Sequence, residues 1–484
     1  MMGLLEALTI VASGMLAVAA AIFVAYSLDE LALLLAYAVW HVRHGRSSKR
    51  RPLSAALLRQ EPEGRLAILL PAWDESNVIR RMLQANMARL DYENYRVFVG
   101  VYPNDPATER EVRSIALEHP RIACVVVERP GPTTKGDCLN QLYVAACRDA
   151  EVTGIPYAAF VLDDAEDLIP PLALRVVNHF IRDVDVVQLP VLPLPSRWSE
   201  LTAAHYADEF AALHARDMPV REWISGAVPS AGVGTGFSPR ALQRAAERNH
   251  GKPFSLTSLT EDYDLTMRLA DGDTRFTFAL EALFRPAADR SGLPIDDAIA
   301  IREFFPRTLW PAIRQKGRWI VGNALQGWQL GWGHSWGQRY FFFRDRKVLL
   351  GHLATGMASV ALLLTLAIWA ARALLFGDAA FPRVVEPGGW VELLIRVSAL
   401  LMIVFLAVRA GFVGAVYGKA EAALSIVRAF WGGWINFAAL VRALWLFSTQ
   451  RRPRWDKTIH EFPDSAVTSP SPGLSGQGDE KKPA

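Results

Sequence analysis

The sequence predicts an α/β protein: a mostly parallel sheet in one central domain, flanked by transmembrane helices. Three observations carry this. Apolar residues are dense at both ends of the chain and ordinary in the middle. Between Leu66 and Phe343, short apolar runs alternate with amphipathic helices, the rhythm of strand–helix–strand units. The polar motifs fall at the carboxyl ends of the predicted strands, where an open α/β sheet binds ligands. The division that follows is 1–52 for an N-terminal span and interfacial segment, 53–345 for a cytosolic α/β domain, 346–448 for further membrane and interfacial helices, and 449–484 for a cytosolic, mostly disordered tail rich in Ser, Pro, Gly and Lys.

Composition narrows the classes. The 484 residues are 51% hydrophobic and 21% charged, so the apolar content must be concentrated in segments. A net charge of +3 is too small for a nucleic-acid binder. Cys124, Cys138 and Cys147 form no CxxC pair, which argues for reduced thiols and against a disulfide framework or a zinc site. The ten histidines show no HExxH-like pair.

Taken in order, Ala7–Tyr26 carries no charge and has the ~20 residues needed to span a bilayer. The basic cluster Arg43, Arg46, Lys49, Arg50 and Arg51 follows it, so the positive-inside rule places the following chain in the cytosol and argues against a signal peptide. Asp29 and Glu30 interrupt the run, and Leu31–Trp40 is expected to continue as a helix at the interface. LAILLPAW (66–73) reads as a buried strand, followed by a helix over 77–90. YRVFVGVY (95–102), ACVVVE (123–128), AAFVLD (158–163) and VDVVQLPV (184–191) read as four more strands. Leu349–Leu375 and Val391–Val416 are two further spans. Ala422–Phe447 contains Arg428, Arg442 and three tryptophans; an interfacial helix there keeps the basic run at 451–454 inside, giving three spans in all.

The stretch FVLDDAED (160–167) ends a strand in four carboxylates, Asp163, Asp164, Glu166 and Asp167. Such a turn can hold Mg²⁺ or Mn²⁺ shared with a diphosphate; in isolation it reads equally as a solvated turn or helix N-cap. SLTEDYD (258–264) supplies a second acidic group, and RQKGRW (314–319) adds Gln315, Arg318 and Trp319. Metal carboxylates, a separate carboxylate and a cation beside an aromatic ring are the set needed for glycosyl transfer from a nucleotide sugar. The metal and guanidinium take up diphosphate charge, and the lone carboxylate removes the acceptor proton.

In the order Pro71-Ala-Trp-Asp-Glu75, Asp105, Lys135-Gly-Asp-Cys-Leu-Asn140, Asp164-Ala-Glu166, Thr260-Glu-Asp262 and Gln315-x-x-Arg318-Trp319, the sequence resembles the family-2 inverting membrane glycosyltransferases of the cellulose- and hyaluronan-synthase-like superfamily. Its wordings PAWDE, KGDCLN, DAED, GVGTGF, LTEDYD, QKGRW and WDKTIHEF are most similar to the bacteriophage-adsorption inner-membrane subfamily. The match covers about 60–465. The resemblance implies a GT-A fold in which Asp105 binds the base or ribose and Asp164 and Glu166 stand for the DxD pair at Mg²⁺ or Mn²⁺. It makes Asp262 the general base, places Gln315, Arg318, Lys135 and Glu75 on the nucleotide sugar, and sets Trp319 and Glu261 beside the acceptor. Here the second acid is Glu166 rather than Asp, which leaves Glu166 and Asp167 both open as the metal ligand.

Bland readings stand beside these. Asp105 lies in the turn-prone YPNDPAT, Asp264 competes with Asp262, Glu75 could be only a helix N-terminal acid, and Cys138 is assigned to packing. GVGTGF lacks GxGxxG spacing and is assigned to a backbone loop near the sugar pocket. The function implied is transfer, with inversion, from a UDP-sugar donor to a growing exopolysaccharide or a lipid-linked acceptor in the bacterial inner membrane, with membrane lipid around the helices. The spans offer a route for export, with room for an export or regulatory protein partner. The rivals are a catalytically idle membrane receptor or scaffold and a two-carboxylate glycoside hydrolase.

Overall fold

The strand LAILLP has all six residues buried, as expected of a central strand covered on both faces. In the computed structural model, which describes residues 2–45, 53–280, 299–449 and 462, this strand is β1 (Leu66–Pro71). It pairs in parallel with β2 (Tyr95–Val101) on one side and β4 (Ala159–Leu162) on the other. Beyond β2 lies β3 (Ile122–Val126), also parallel. Beyond β4 come β6 (Thr235–Phe237), then β5 (Val186–Gln188), then β7 (Phe276–Phe278). Only β6 runs antiparallel to its neighbours. The order 3-2-1-4-6-5-7 reverses direction between β1 and β4, and a crevice at such a switch point is where an open sheet binds ligands.

Five strands fall where the sequence predicts them, shorter by a residue or more at their ends. The two extra strands, β6 and β7, have three residues each, as β5 does, but β5 lies within the longer apolar run VDVVQLPV. Residues predicted as a loop in GVGTGF thus divide into a loop at Gly232–Gly234 and the strand β6.

The helices of the domain are α2 (Ala55–Gln60), α3 (Ile79–Arg89), α4 (Pro106–Glu118), α5 (Lys135–Thr153), α6 (Ala173–Phe180), α7 (Leu201–Ala212), α8 (Met218–Ser225), α9 (Pro239–Glu247), α10 (Glu261–Leu269) and α11 (Leu309–Trp319). One core on one face of the sheet includes Ile68, Val99, Val161 and Val177, and another on the opposite face includes Leu69, Phe98, Cys138 and Phe237. Cys138 is buried packing, as expected, and all three cysteines are free. Two π-helical turns, Leu213–Asp217 and Ile320–Leu325, follow α7 and α11.

Among the described residues four helices are long and apolar enough to cross a membrane: α1 (Met2–Gly45), with its span counted over Met2–His44, α12 (Trp336–Phe376), α13 (Trp390–Tyr417) and α14 (Lys419–Thr449). Two expectations meet the structure here. The helix expected to continue over Leu31–Trp40 does so, as part of one α1 that runs through Asp29 and Glu30 without a break. These carboxylates bond Arg344 and Lys347 of α12, so the charge pair that looked like an interruption is neutralised by partners more than 300 residues away. The helix set apart as interfacial, α14, meets the same length and hydropathy criterion as the other three. Its arginines turn toward the α/β domain: Arg428 bonds both oxygens of Asp208 on α7, at 2.8 and 2.7 Å, and Arg442 lies over Trp310. Buried guanidinium–carboxylate contact removes the compositional objection to a span. WDKTIHEF, apart from the buried Phe462, and the predicted tail lie outside the described residues.

Candidate active site

A cavity of about 120 Å³ opens at the carboxyl ends of β1 and β4. Three helix ends frame it. Lys135 is the first residue of α5, Glu261 and Asp262 are the first two of α10, and Gln315, Arg318 and Trp319 sit on the last turns of α11. The N-termini of α5 and α10 bring a positive dipole end, a natural seat for an anionic group. Gln315 and Arg318, three apart on a helix, share one face. The turn after β4 adds Asp164 and Glu166, and the end of β1 adds Pro71 with Glu75 just beyond.

The wall is therefore lined by six acidic residues (Glu75, Asp164, Glu166, Glu261, Asp262, Glu303) and two basic ones (Lys135, Arg318). The mutual repulsion of the acidic turn is met first by Lys135. Its Nζ lies 2.7 Å from Asp164 Oδ1 and 3.9 Å from Glu261 Oε1. Burial works to lower the Lys135 ammonium, but Asp164, Glu261 and Asp262 outweigh it and hold it above the usual lysine range. Burial raises both carboxyls of the α10 pair, Glu261 to about 7, with Lys135 pulling each back down; amides of the first turn also favour ionised Asp262. Arg318 is lowered by burial against the pull of Glu261 and Asp164, and its Nε has no hydrogen-bond partner among the described residues.

The structure separates the four acids of the opening turn. Asp164 and Glu166 line the cavity, whereas Asp163 and Asp167 turn inward. Asp163 Oδ1 accepts from the Gly234 amide at 3.2 Å, and Asp167 Oδ2 accepts from the Asp164 amide at 2.6 Å. These two buried acids clamp the glycine loop and the turn itself, and burial pushes Asp163 up to about 8. Of the two residues left open as second ligand, Glu166 faces the cavity. Asp264 is drawn to Arg268 at 2.7 Å, leaving Asp262 as the α10 aspartate in the cavity.

Asp105 is the one sequence-predicted site residue that the cavity does not include. Both of its oxygens are engaged by backbone: Oδ1 caps α4 by accepting from Thr108 N, and Oδ2 accepts from Asp74 N at 2.6 Å. Asp74 has a left-handed φ of 57°, so this bond holds the turn that leaves β1. Glu303, by contrast, lines the cavity and carries no sequence motif. It arrives there because Leu168, just after the acidic turn, bridges to Arg302 through paired backbone hydrogen bonds.

Gly232 explains the glycine loop. Its φ is +86°, and a Cβ would lie 2.7 Å from Asp262 Oδ2. Gly232→Ala is expected to strain the loop by about 1–3 kcal/mol and to displace Asp262. A misplacement of that size costs activity about a hundredfold. Turnover measured beside circular dichroism checks this; unchanged turnover would show that the contact is unimportant.

A second cavity of about 340 Å³ lies on the far side of Trp319, which lines both. The two π-helical turns contribute Leu213, Asp217, Ile320 and Asn323 to it, and α12 contributes Arg344, Asp345 and His352. Irregular helical turns of this kind often mark functional sites. The polar chamber thus runs from the carboxylate cavity toward the long apolar helices.

The donor set fits a divalent cation of the Mg²⁺ or Mn²⁺ type. Asp164 and Glu166 are hard oxygen ligands, and the wall carries four more acids than bases. Among the described residues no group of three His, Cys, Asp or Glu could hold a metal unaided, which suits an ion that takes its remaining ligands from phosphate and water.

A mostly parallel α/β domain with this cleft at its switch point, carried on long apolar helices, defines a GT-A-like glycosyltransferase. The chain belongs to the family described as glycosyltransferase like family 2, whose pattern matches residues 62–322. It is 38% identical over 448 residues, 90% of its length, to bacteriophage adsorption protein B of Escherichia coli K12, and equally to bacteriophage N4 adsorption protein B of E. coli O157:H7. The chain spans 60% of the length of these curated relatives. Among solved structures it is similar to the mannosyltransferase PcManGT of Pyrobaculum calidifontis in complex with GDP-Man and Mn²⁺, at 17% identity and a TM-score of 0.47, covering 89% of this chain and 100% of that one. Glucosyl-3-phosphoglycerate synthase of Mycobacterium tuberculosis, in complex with Mn²⁺, UDP-Glc and phosphoglyceric acid, matches at 16% identity and a TM-score of 0.25, over 40% of this chain and 64% of that one.

Proposed function

We propose that this family-2 glycosyltransferase moves a sugar, with inversion, from a UDP-sugar to a growing exopolysaccharide or lipid-linked acceptor at the cytosolic face of a bacterial inner membrane. The observation that carries the reading is the shared cavity: Lys135, Asp164, Glu166, Arg318 and Asp262 meet there, and Trp319 opens it to a second chamber. Asp164 and Glu166 would hold Mg²⁺ or Mn²⁺, which supplies charge compensation for a diphosphate leaving group. Lys135 and Arg318 bind that diphosphate from the protein side, Lys135 exchanging part of its contact with Asp164 for phosphate oxygens. Gln315 and Glu75 orient the donor, and the N-termini of α5 and α10 add amides. Ionised Asp262 takes the proton of the acceptor hydroxyl as it attacks the anomeric carbon from the face opposite the diphosphate, which inverts the configuration. Trp319 stacks on the acceptor ring, with Glu261 beside it. Asp105, which also shapes the turn after β1, would meet the base or ribose at the edge of this cleft. An enzyme that builds a surface glycan would also account for relatives named for bacteriophage adsorption.

The test is incubation of membranes containing the chain with a panel of UDP-sugars and Mg²⁺ or Mn²⁺, reading UDP release and product size. Cation-dependent release with one donor, abolished by chelation, is expected. No release with any donor would favour the idle receptor or scaffold.

The same geometry sets a pH dependence. Asp262 works ionised, and burial raises it, so activity is lost as pH falls through an elevated value. Burial thus places the acid limb of kcat/KM above the ordinary carboxylate range near 4. A limb at pH 4 would contradict this environment.

A further inference from the structure

A larger cavity lies away from the chemistry. It measures about 540 Å³ and runs between α1 and α13, with Ala358 of α12 at its floor. Small residues hold it open, Ala19 and Ala20 on one wall and Ala399 on the other, while Phe23, Met402 and Phe405 line its length. From Leu16 to Glu30 it follows α1 for roughly 20 Å at 1.5 Å per residue, more than the ~15 Å of one leaflet of hydrocarbon. The apolar walls fall within the segments read as membrane spans, so hydrocarbon rather than water fills them.

One end is different. Two guanidiniums gather there from separate parts of the chain, Arg409 of α13 and Arg216 of the π-helical turn, against a single lining carboxylate, Glu30. Arg409 donates to Asp208 at 3.1 Å, but Asp208 already receives Arg428 on both oxygens. The Arg409 Nε is buried and has no hydrogen-bond partner among the described residues. Arg216 is paired through Nε with Asp217, and its second amino group reaches Glu30 at 3.3 Å, long for a charge-assisted bond, so Arg409 supplies the open donor and Arg216 a neighbouring positive charge. Tyr26 lines both this groove and the chamber next to Trp319.

We infer that the α1–α13 groove binds a phosphate-bearing membrane lipid, its chain along the apolar walls and its phosphate at Arg409 and Arg216. The charge complementarity of the two guanidiniums selects an anionic headgroup, and the shared Tyr26 presents that headgroup to the chamber. The inference depends on α1 and α13 being spans and is independent of the donor chemistry.

The full chain in phosphatidylcholine vesicles, doped with photoactivatable phosphatidic acid or with photoactivatable diacylglycerol, separates the possibilities. Cross-links mapped by peptide mass spectrometry are expected on α1 and α13, with phosphatidic acid favoured by about tenfold or more, the ratio of one modest charge-assisted contact. Arg409→Gln removes the preference. Ala399→Trp fills the groove and removes labelling by both lipids; if its thermal transition is lost, Ala20→Phe fills the groove from the opposite wall. Arg396→Gln, an exposed α13 position outside the groove, leaves labelling unchanged. Equal labelling by the two lipids, or labelling indifferent to the filled groove, overturns the proposal.

Discussion

Replacing Asp262 with asparagine is expected to lower turnover by about a thousandfold, the upper-middle range for removing a general base, while leaving donor binding in place. Asparagine matches aspartate in shape but cannot accept the hydroxyl proton. The residue sits half-buried in the first turn of α10, with Gly232 packed against it and Lys135 acting on its charge. Loss of a negative charge from a wall that carries six acidic residues and two basic ones should not hinder an anionic donor. The diagnostic pattern is therefore a large fall in kcat with donor affinity equal to or tighter than wild type. Wild-type turnover would remove Asp262 from the base role; Glu261, on the same wall, would then become the candidate.

Arg318→Gln is expected to cost about a hundredfold or more in kcat, the range for deleting one charged donor that meets developing charge. Arg318 is half-buried on the last turn of α11, its buried Nε without a partner among the described residues. A guanidinium held partly unsatisfied has bonding capacity ready for an incoming anion. Arg318→Lys keeps the charge but loses the planar fork, so partial recovery is expected. UDP inhibition measured on both variants reports the diphosphate contact separately from the chemistry. If Arg318→Gln binds UDP and turns over as wild type does, the guanidinium serves packing alone.

Much of this site was legible because its residues lie in short runs whose chemistry is local. FVLDDAED shows a strand ending in carboxylates, and QKGRW places Gln315 and Arg318 on one helical face. Which acid faces the cavity was not legible, since that depends on the Gly234 and Asp164 amides that Asp163 and Asp167 capture. For Asp105 the turn-forming capacity visible in YPNDPAT is what the fold displays, with both oxygens on backbone amides. Glu303 could not be found from local spelling because a long-range backbone bridge brings it in. Within the sheet, β1 to β5 have enough apolar length to declare themselves, whereas β6 and β7 depend on neighbours already in place. What the apolar run alone did not show is the partner of Asp29 and Glu30, because Arg344 and Lys347 lie more than 300 residues away in sequence.

Whether the Asp164–Lys135–Arg318 wall receives a nucleoside diphosphate is decided most directly by calorimetric titration of the solubilised full chain with UDP, with and without Mg²⁺ or Mn²⁺. Binding that tightens by about tenfold or more with the cation, and loses that dependence in Asp164→Asn/Glu166→Gln, is the predicted result. Binding that is the same with and without cation, or unchanged in both the double variant and Arg318→Gln, would contradict a diphosphate site at this cavity.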